Sequence, residues 1–231
     1  MPNLDQNNVL EESLDSKATS FPKSPLTQKL QRLYLLQDKL PKLIEDASVP
    51  TQELDKYYVK LNIIANEQSS SDKYPIEVEE IFLPKKDKPA ADKVLFVGGA
   101  GVGKSAFLQN ITYKWAKGGE HGLFNNKFDY VFKVKLKLLF SDWKAGYNID
   151  DLDEPLKCFI LYSLKSEPTY ANLDSEHRIK KDEIFNVINT SNQDKILLLL
   201  DGYDEVASYI SSGKDPIVTR MSEEIFKLKH V

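Results

Sequence analysis

The chain has 231 residues, of which 41% are hydrophobic and 29% charged, enough for one globular domain with an extension. Its net charge of −4 gives no indication of nonspecific nucleic-acid binding, and its single cysteine, Cys158, excludes an internal disulfide and a cysteine-rich zinc site. No apolar run approaches the ~20 residues of a membrane-spanning helix, and residues 1–20 are too polar for a signal peptide. We therefore expect a cytoplasmic protein with no membrane or nucleic-acid partner.

The chain is predicted to begin with a disordered tail followed by a helix. Residues 1–24 are rich in Asn, Asp and Ser, a composition typical of disorder. A helical pattern starts at Ser24 and Pro25, and Pro41 is expected to kink it. Its leucines recur every three or four residues: Leu26, Leu30, Leu33, Leu36, Leu40 and Leu43. This stripe is too short for a sustained coiled coil, so we expect it to pack against the rest of the chain or a protein partner.

A second apolar cluster and a charged linker complete this first part of the chain. The cluster consists of Leu54, Tyr57, Tyr58, Leu61 and Ile64. Residues 85–92 are charged and contain Pro and Ala, so the domain boundary is predicted there. We interpret 25–90 as a small helical extension with its linker and 91–231 as the main domain.

The main domain opens with a predicted strand, glycine loop and helix. Residues 94–97 form a β-branched and aromatic run, typical of a buried strand. Residues 98–105 read Gly-Gly-Ala-Gly-Val-Gly-Lys-Ser, a phosphate-binding loop of the form G-x-x-x-x-G-K-S. From Ala106 a helix is predicted, with Phe107, Ile111 and Trp115 on one stripe. Strand, loop and helix are the context that this motif requires.

The chemistry of this loop predicts nucleotide binding. Glycines let several backbone N–H groups point at one anion, and the helix N-terminus adds partial positive charge. Lys104 is expected to reach the β and γ phosphates, and the Ser105 hydroxyl to ligate Mg²⁺. The predicted nucleotide-binding residues are Gly98, Gly99, Ala100, Gly101, Val102, Gly103, Lys104, Ser105 and Ala106.

The next predicted elements are a strand and two crossover helices. Residues 128–138 alternate apolar residues with a set that includes Lys133, Lys135 and Lys137, which indicates an edge strand whose lysine face is partly wet. A basic patch for phosphates or RNA is the weaker interpretation. Helical patterns at 152–164 and 179–188 are expected to be crossovers toward a further strand.

That further strand is an apolar run, residues 196–200, ending at Asp201. Ligands of open α/β sheets bind at the carboxyl edge of the strands, so Asp201 is the predicted holder of Mg²⁺. Asp204 and Glu205 follow, and either one is a candidate to orient an attacking water; the alternative for both is a solvated loop or first helical turn.

These residues carry a resemblance to a known family. Leu-Leu-Leu-Leu-Asp-Gly-Tyr-Asp-Glu at 197–205 resembles the Walker B segment of the NACHT NTPases, which belong to the STAND signal-transduction class. Residues 107–118 are similar to the family's helix after the phosphate loop, and 128–132 to its second strand. Gly202 directly after the Walker B acid separates NACHT from AAA+ and ABC ATPases. Tyr-Val-Lys-Leu at 58–61 resembles the family's lead-in segment.

The resemblance spans about 92–231 and implies the finer expectations. It implies that Asp204 and, less directly, Glu205 serve catalysis and Mg²⁺, and that ATP is the nucleotide rather than GTP. It also implies switching of protein association by nucleotide. The family's next strand, which sits between the phosphate-loop strand and the Walker B strand and ends in a γ-phosphate-sensing Arg, has no counterpart before Val231. We therefore expect a truncated domain that binds nucleotide with little turnover.

The predicted fold is α/β, a P-loop NTPase three-layer sandwich with a partial parallel sheet after a small helical extension. The first alternative function is a non-enzymatic interaction fragment with a decayed NTPase region. The second is a small P-loop kinase, which would need an arginine-rich lid. The three arginines, Arg32, Arg178 and Arg220, are scattered and form no such segment.

Overall fold

A computed structural model describes residues 23–39, 54, 63–65, 74–82, 84, 90–118, 123–148, 150–189 and 193–231. The helices are α1 (Pro25–Leu35), α2 (Lys104–Lys117), α3 (Pro155–Lys165), α4 (Lys181–Asn189), α5 (Tyr203–Ser211) and α6 (Pro216–Lys227). The strands are β1 (Ile63–Ala65), β2 (Tyr74–Ile76), β3 (Tyr130–Lys135) and β4 (Ile196–Asp201). Short 3₁₀ segments connect several of them, among them Leu136–Phe140 after β3 and Asp151–Asp153 before α3.

The centre of the fold is the parallel pair of β3 and β4. The register runs from Tyr130 opposite Ile196 to Lys135 opposite Asp201. α1 and α2 pack against each other and on β3, while α3 packs on β3 and against α4 and α6. The predicted α/β architecture is confirmed, as are the helix after the glycine loop, the strand that ends at Asp201 and the two crossover helices.

The segment before the glycine loop differs from its prediction. Residues 94–97 run without assigned strand structure, and Leu95 and Val97 are 72% and 88% exposed, so the prediction of a buried strand is wrong. The described backbone bonds beside this segment come from the C-terminal residues. Val94 donates to Val231 O (2.9 Å), and Val231 donates to Asp92 O (3.2 Å). Among the described residues, backbone pairing thus reaches only the start of the segment. Farther along, Phe96 packs on Phe107 with ring centroids 5.0 Å apart, while Leu95 and Val97 stay exposed.

The lysine face of β3 also differs from its prediction. Lys133 is 5% exposed, and its ammonium is enclosed by Gln37, just after α1, and Glu167, just after α3. Its ammonium lies 3.3 Å from the Glu167 carboxylate, and Lys135 lies 2.9 Å from the same group. The expectation of a partly wet face is therefore wrong for Lys133, since a buried carboxylate satisfies the cation in place of water.

The N-terminal helix packs against the rest of the chain, which is the first of the two alternatives expected for it. The Ser24 hydroxyl accepts from Thr27 N at 3.1 Å, and Pro25 occupies the first turn, which together start α1. Leu26 is 3% exposed and Leu30 fully buried, within the same core as the β3–β4 pair. The antiparallel pair of β1 and β2 adds strands to a segment predicted only as helical.

Several predictions for the N-terminal part lie outside the described residues. These are the disorder of the tail up to residue 22, the kink at Pro41 and the packing of Tyr57, Tyr58 and Leu61.

A histidine is buried among aromatic rings near the C-terminus. His230 is 1% exposed, and the ring centroids of Phe82 and Phe128 lie 5.9 and 5.1 Å from its own. Neither ring nitrogen has a hydrogen-bond partner among the described residues. Burial lowers the pKa of His230 below its ordinary value of 6.5, and Lys127 lowers it further. The other charges that face it are those of Asp92, Lys229 and Asp194.

This arrangement predicts a loss of stability in mild acid. Because the folded pKa of His230 is depressed, its neutral ring favours folding fully above pH 6.5, and this contribution is lost as pH falls below that value. We expect the free energy of unfolding of the wild type to fall between about pH 7.5 and about pH 5, by at most about 1.4 kcal/mol per pH unit from this group. His230→Phe should flatten that dependence. Urea unfolding across this range measures it.

The matched control is His177→Gln, since His177 is an exposed histidine paired with Asp174. That variant should not flatten the wild-type pH dependence, because this histidine contacts a carboxylate and is not buried among aromatic rings. If the free energy of unfolding falls with pH equally steeply in the wild type and in His230→Phe, the buried ring is not the cause of the acid sensitivity.

Candidate phosphate-binding site

The glycine loop joins the 94–97 segment to α2. Gly101 and Gly103 adopt φ values of 74° and 97°, in the left-handed region that glycine enters without strain. Gly103 is the N-cap of α2 and supplies no side chain, so the first N–H groups of this 14-residue helix stay available to a ligand. The helix is fixed from behind by Phe107, Ile111 and Trp115, which are all at most 6% exposed, as their stripe predicted. The loop is thus mounted on a rigid support.

Lys104 folds back onto its own loop. Its ammonium donates to Gly98 O at 2.9 Å and to Gly99 O at 3.3 Å. The Asp204 carboxylate lies 3.6 Å away, and the Lys104 side chain keeps 31% exposure. The cation therefore sits at the mouth of the loop, among groups that an incoming anion can replace.

Ser105 and Asp201 meet directly. The Ser105 hydroxyl donates to Asp201 Oδ1 at 2.9 Å, although the two residues are 96 positions apart. Asp201 arrives there as the last residue of β4, and Gly202 turns the chain into α5 with a φ of 80°. The structure thus brings together the two residues predicted to hold a metal.

This oxygen pair fits Mg²⁺ chemically. Mg²⁺ prefers oxygen ligands and uses one or two protein groups together with water and phosphate oxygens. The described residues contain no group of three or more His, Cys, Asp or Glu side chains suited to a metal. Ser105 and Asp201 are the oxygen pair that could hold a cation here.

The two acids after β4 lie in the first turn of α5. Both Asp204 and Glu205 are exposed, so the alternative of a first helical turn holds for their backbone. Asp204 faces Lys104, as its 3.6 Å distance shows. Glu205 turns back toward Gly202, where an added Cβ would lie 3.3 Å from Glu205 Oε1. Of these two acids, Asp204 is therefore the one with a described contact to a residue of the loop.

Arg220 takes no part in this cluster. It lies on α6, and its guanidinium contacts Asp153 at 3.2 Å.

An apolar cavity of about 530 Å³ adjoins the site between the 94–97 segment and β4. Its polar end includes Lys104, Asp201 and Asp204. Its apolar lining includes Val94, Phe96, Leu198, Leu200, Ile225 and Val231. The sequence analysis did not predict this cavity, because its lining comes from residues 94–97, β4 and α6, which lie far apart in the chain.

A buried polar network lies behind Asp201 and also escaped the sequence analysis. Glu167 is 5% exposed and binds both Lys133 and Lys135, and Lys135 is the register partner of Asp201. Gln37 joins it by accepting from Lys133 Nζ at 3.1 Å. Burial lowers the pKa of Lys133, an effect that nearby Glu167 opposes. These residues come from separate parts of the chain, and the lysine alternation of β3 was their only sequence signal.

A lysine-bearing glycine loop at a helix start, with its serine bonded to an acid at the end of a parallel strand, defines a P-loop NTPase. The model of the NACHT domain family matches residues 92–228, more than half of the chain. The chain belongs to that family, whose members are nucleotide-binding NTPases of the signalling type. This confirms the resemblance seen in the sequence.

Curated relatives share the same family name. The chain is 26% identical over 143 residues to the human NACHT, LRR and PYD domains-containing protein 12, covering 62% of this chain and 11% of that protein. It is 36% identical over 93 residues to the mouse protein of that name, covering 34% and 8%. It is 28% identical over 182 residues to the Danio rerio NACHT, LRR and PYD domains-containing protein 1 homolog, covering 76% and 12%.

The chain therefore spans only a small part of these relatives, at most 12% of the length of any of the three. Within the part of the chain that the structure describes, no helix is long and apolar enough to cross a membrane.

Proposed function

We propose that this chain binds a nucleoside triphosphate with Mg²⁺, ATP in preference to GTP, at residues 98–106. The observation that carries the proposal is the 2.9 Å bond between Ser105 and Asp201, which unites the loop and the strand-end acid at one point. Membership of the NACHT family supports it, and the preference for ATP rests on the family resemblance alone.

The residues of the loop account for recognition of the phosphates. Backbone N–H groups of the loop and of the first turn of α2 donate to phosphate oxygens, favoured by the helix dipole. Lys104 exchanges the carbonyls of Gly98 and Gly99 for phosphate oxygens. Ser105 and Asp201 hold Mg²⁺, which neutralises phosphate charge when bound. In hydrolysis, Asp204 and Glu205 are the proposed acids that orient water.

The wider role follows from the family. We propose a cytoplasmic signalling switch in which nucleotide controls association with a protein partner or with further copies of the chain. The competing function, an interaction fragment with a decayed nucleotide site, predicts no nucleotide affinity at all. A nucleotide titration of the wild type separates the two.

Lys104→Ala should abolish detectable nucleotide binding while leaving folding intact. The Lys104 amine is partly exposed and its partners are loop carbonyls and an exposed carboxylate, so its loss removes little from the folded state. Titration with a fluorescent ATP analogue measures the affinity, and thermal unfolding checks the fold. The control is Lys137→Ala, an exposed lysine outside the loop. Wild-type affinity in Lys104→Ala would overturn the site.

Asp201→Asn should weaken nucleotide binding more in Mg²⁺ than in EDTA. The substitution keeps the shape and an acceptor for Ser105 but removes the charge that a hard cation requires. We expect a loss of ~10–100-fold in Mg²⁺ and a much smaller one in EDTA. The matched control is Asp194→Asn. Asp194 lies just before the start of β4 and is paired with Lys229, so this variant should change nucleotide affinity neither in Mg²⁺ nor in EDTA. Equal losses in both conditions would make Asp201 a structural residue.

Asp204→Asn should slow ATP hydrolysis more than Glu205→Gln does. Asp204 is 3.6 Å from Lys104, whereas Glu205 turns toward Gly202. We expect ~10²-fold slower phosphate release in Asp204→Asn, with nucleotide affinity unchanged or raised because Lys104 loses a competing carboxylate. Single-turnover assays measure the rate of phosphate release. Lys104→Ala corrects for contaminating ATPases, and a larger loss in Glu205→Gln would reverse the assignment.

A further inference from the structure

The open edge of β3 is closed by side chains of α1. The Thr27 hydroxyl donates to Asp129 O at 2.9 Å. The Tyr34 hydroxyl donates to Val131 O at 3.0 Å and accepts from Lys133 N at 3.0 Å. A helix thus satisfies backbone groups that a neighbouring strand would otherwise pair. Tyr34 is fully buried, so breaking these bonds without replacement would leave polar groups unpaired inside the core.

The residues just after α1 are also bonded to α2, the helix that follows the phosphate loop. Gln109, which is 7% exposed, donates from its amide to Gln37 O at 2.9 Å and to Lys39 O at 2.8 Å. Gln109 lies about one and a half turns along α2 from Lys104. The backbone just after α1 is therefore fixed to the first half of α2.

A third connection runs from the residues after α1 to Lys135, the neighbour of Asp201 on the paired strand. Gln37 Oε1 accepts from Lys133 Nζ, and Lys133 shares the buried Glu167 with Lys135, which is the register partner of Asp201. α1 and the turn after it thus contact both elements of the site. They hold α2 through Gln109, and they hold the β3–β4 pair through Tyr34 and Lys133.

We propose that α1 regulates the nucleotide site: docking of α1 on β3 and α2, and occupation of the site by Mg²⁺-nucleotide, stabilise each other. Docked α1 fixes α2 and the end of the β3–β4 pair in the positions where Ser105 meets Asp201, so less ordering remains when the ligand binds. By linkage, bound nucleotide must then favour docked α1 to the same degree. A signal that displaces α1 would release nucleotide. The inference rests on the proposed nucleotide binding.

The decisive comparison is Tyr34→Phe against Tyr170→Phe in the full chain. Tyr170 is the matched control, since its hydroxyl also donates to one backbone carbonyl and accepts from one backbone amide, both of Ile179, at 3.1 Å. Its hydroxyl bonds no residue of α1, β3 or the loop, although Ile179 follows Arg178, whose carbonyl accepts from Lys29 of α1 at 3.1 Å. We expect Tyr34→Phe to weaken Mg²⁺-ATP binding by about fivefold or more, the lower range of allosteric coupling, and Tyr170→Phe by less than about twofold.

The reciprocal arm uses the wild type alone. Mg²⁺-ATP should slow amide hydrogen exchange in α1 and at Lys133, whose N–H donates to Tyr34. If Tyr34→Phe does not fold, Glu183→Gln is measured in its place. This substitution removes the 2.7 Å ion pair between Glu183 and Lys29 of α1, and so weakens the docking of α1 without changing its buried contacts. That variant should also weaken binding, by a smaller factor.

The outcomes separate the two proposals. Wild type that binds no nucleotide overturns the proposed function and the coupling with it. Wild type that binds, with equal affinity in the Tyr34 and Tyr170 variants and no change in α1 exchange, overturns only the coupling and leaves α1 a purely structural cover.

Discussion

The parallel pairing of β3 with β4 is the interaction on which the rest of the structure depends. β4 is an apolar run whose residues from Ile196 to Leu199 are buried, and burial on both faces requires helices on either side of the pair. Parallel strands end at one edge of a sheet, so the pairing delivers Asp201 to the edge where the glycine loop opens. The 2.9 Å contact with Ser105 follows from that topology rather than from any local sequence.

A pair of strands leaves two outer edges, and in the described part of the chain residues outside any strand bond to each of them. On the β3 side, Tyr34 and Ser163 take the free backbone groups, the latter by accepting from Lys135 N at 2.9 Å. On the β4 side, Leu198 N donates to His230 O at 3.1 Å. An unmade buried hydrogen bond costs about 1–3 kcal/mol, so α1 is energetically part of this domain. The family match begins at residue 92, whereas the physical unit already includes α1.

The sequence predicted the elements whose signals are local. The glycine loop, the stripe of α2 and the acid after β4 each depend on a few adjacent residues or on helical spacing, and all appear as predicted. It did not predict the burial of Lys133, because the compensating charge of Glu167 lies in another part of the chain. Nor did it predict exposed Leu95, since burial of a strand residue depends on neighbours in space and not on its own hydrophobicity.

The same limit applies to the site. Residue types and spacing predicted Lys104, Ser105 and Asp201 as site residues, but not which of the two later acids faces the loop. That choice depends on the left-handed turn at Gly202, which sets the direction in which α5 begins. The contacts of Gln109 with the residues just after α1 were not predicted either, because they depend on how two helices that are far apart in the chain pack against each other.

The folded-back position of Lys104 has a consequence for selectivity. Its ammonium already has two carbonyl partners and a carboxylate nearby, so an anion gains from it only the difference between new and old contacts. A small anion that reaches the lysine alone gains little by the exchange. An anion long enough to engage the loop amides, the lysine and the Ser105–Asp201 pair at once gains from all of them. If the proposed site binds phosphates, the resting contacts of Lys104 therefore favour long phosphate chains over short ones.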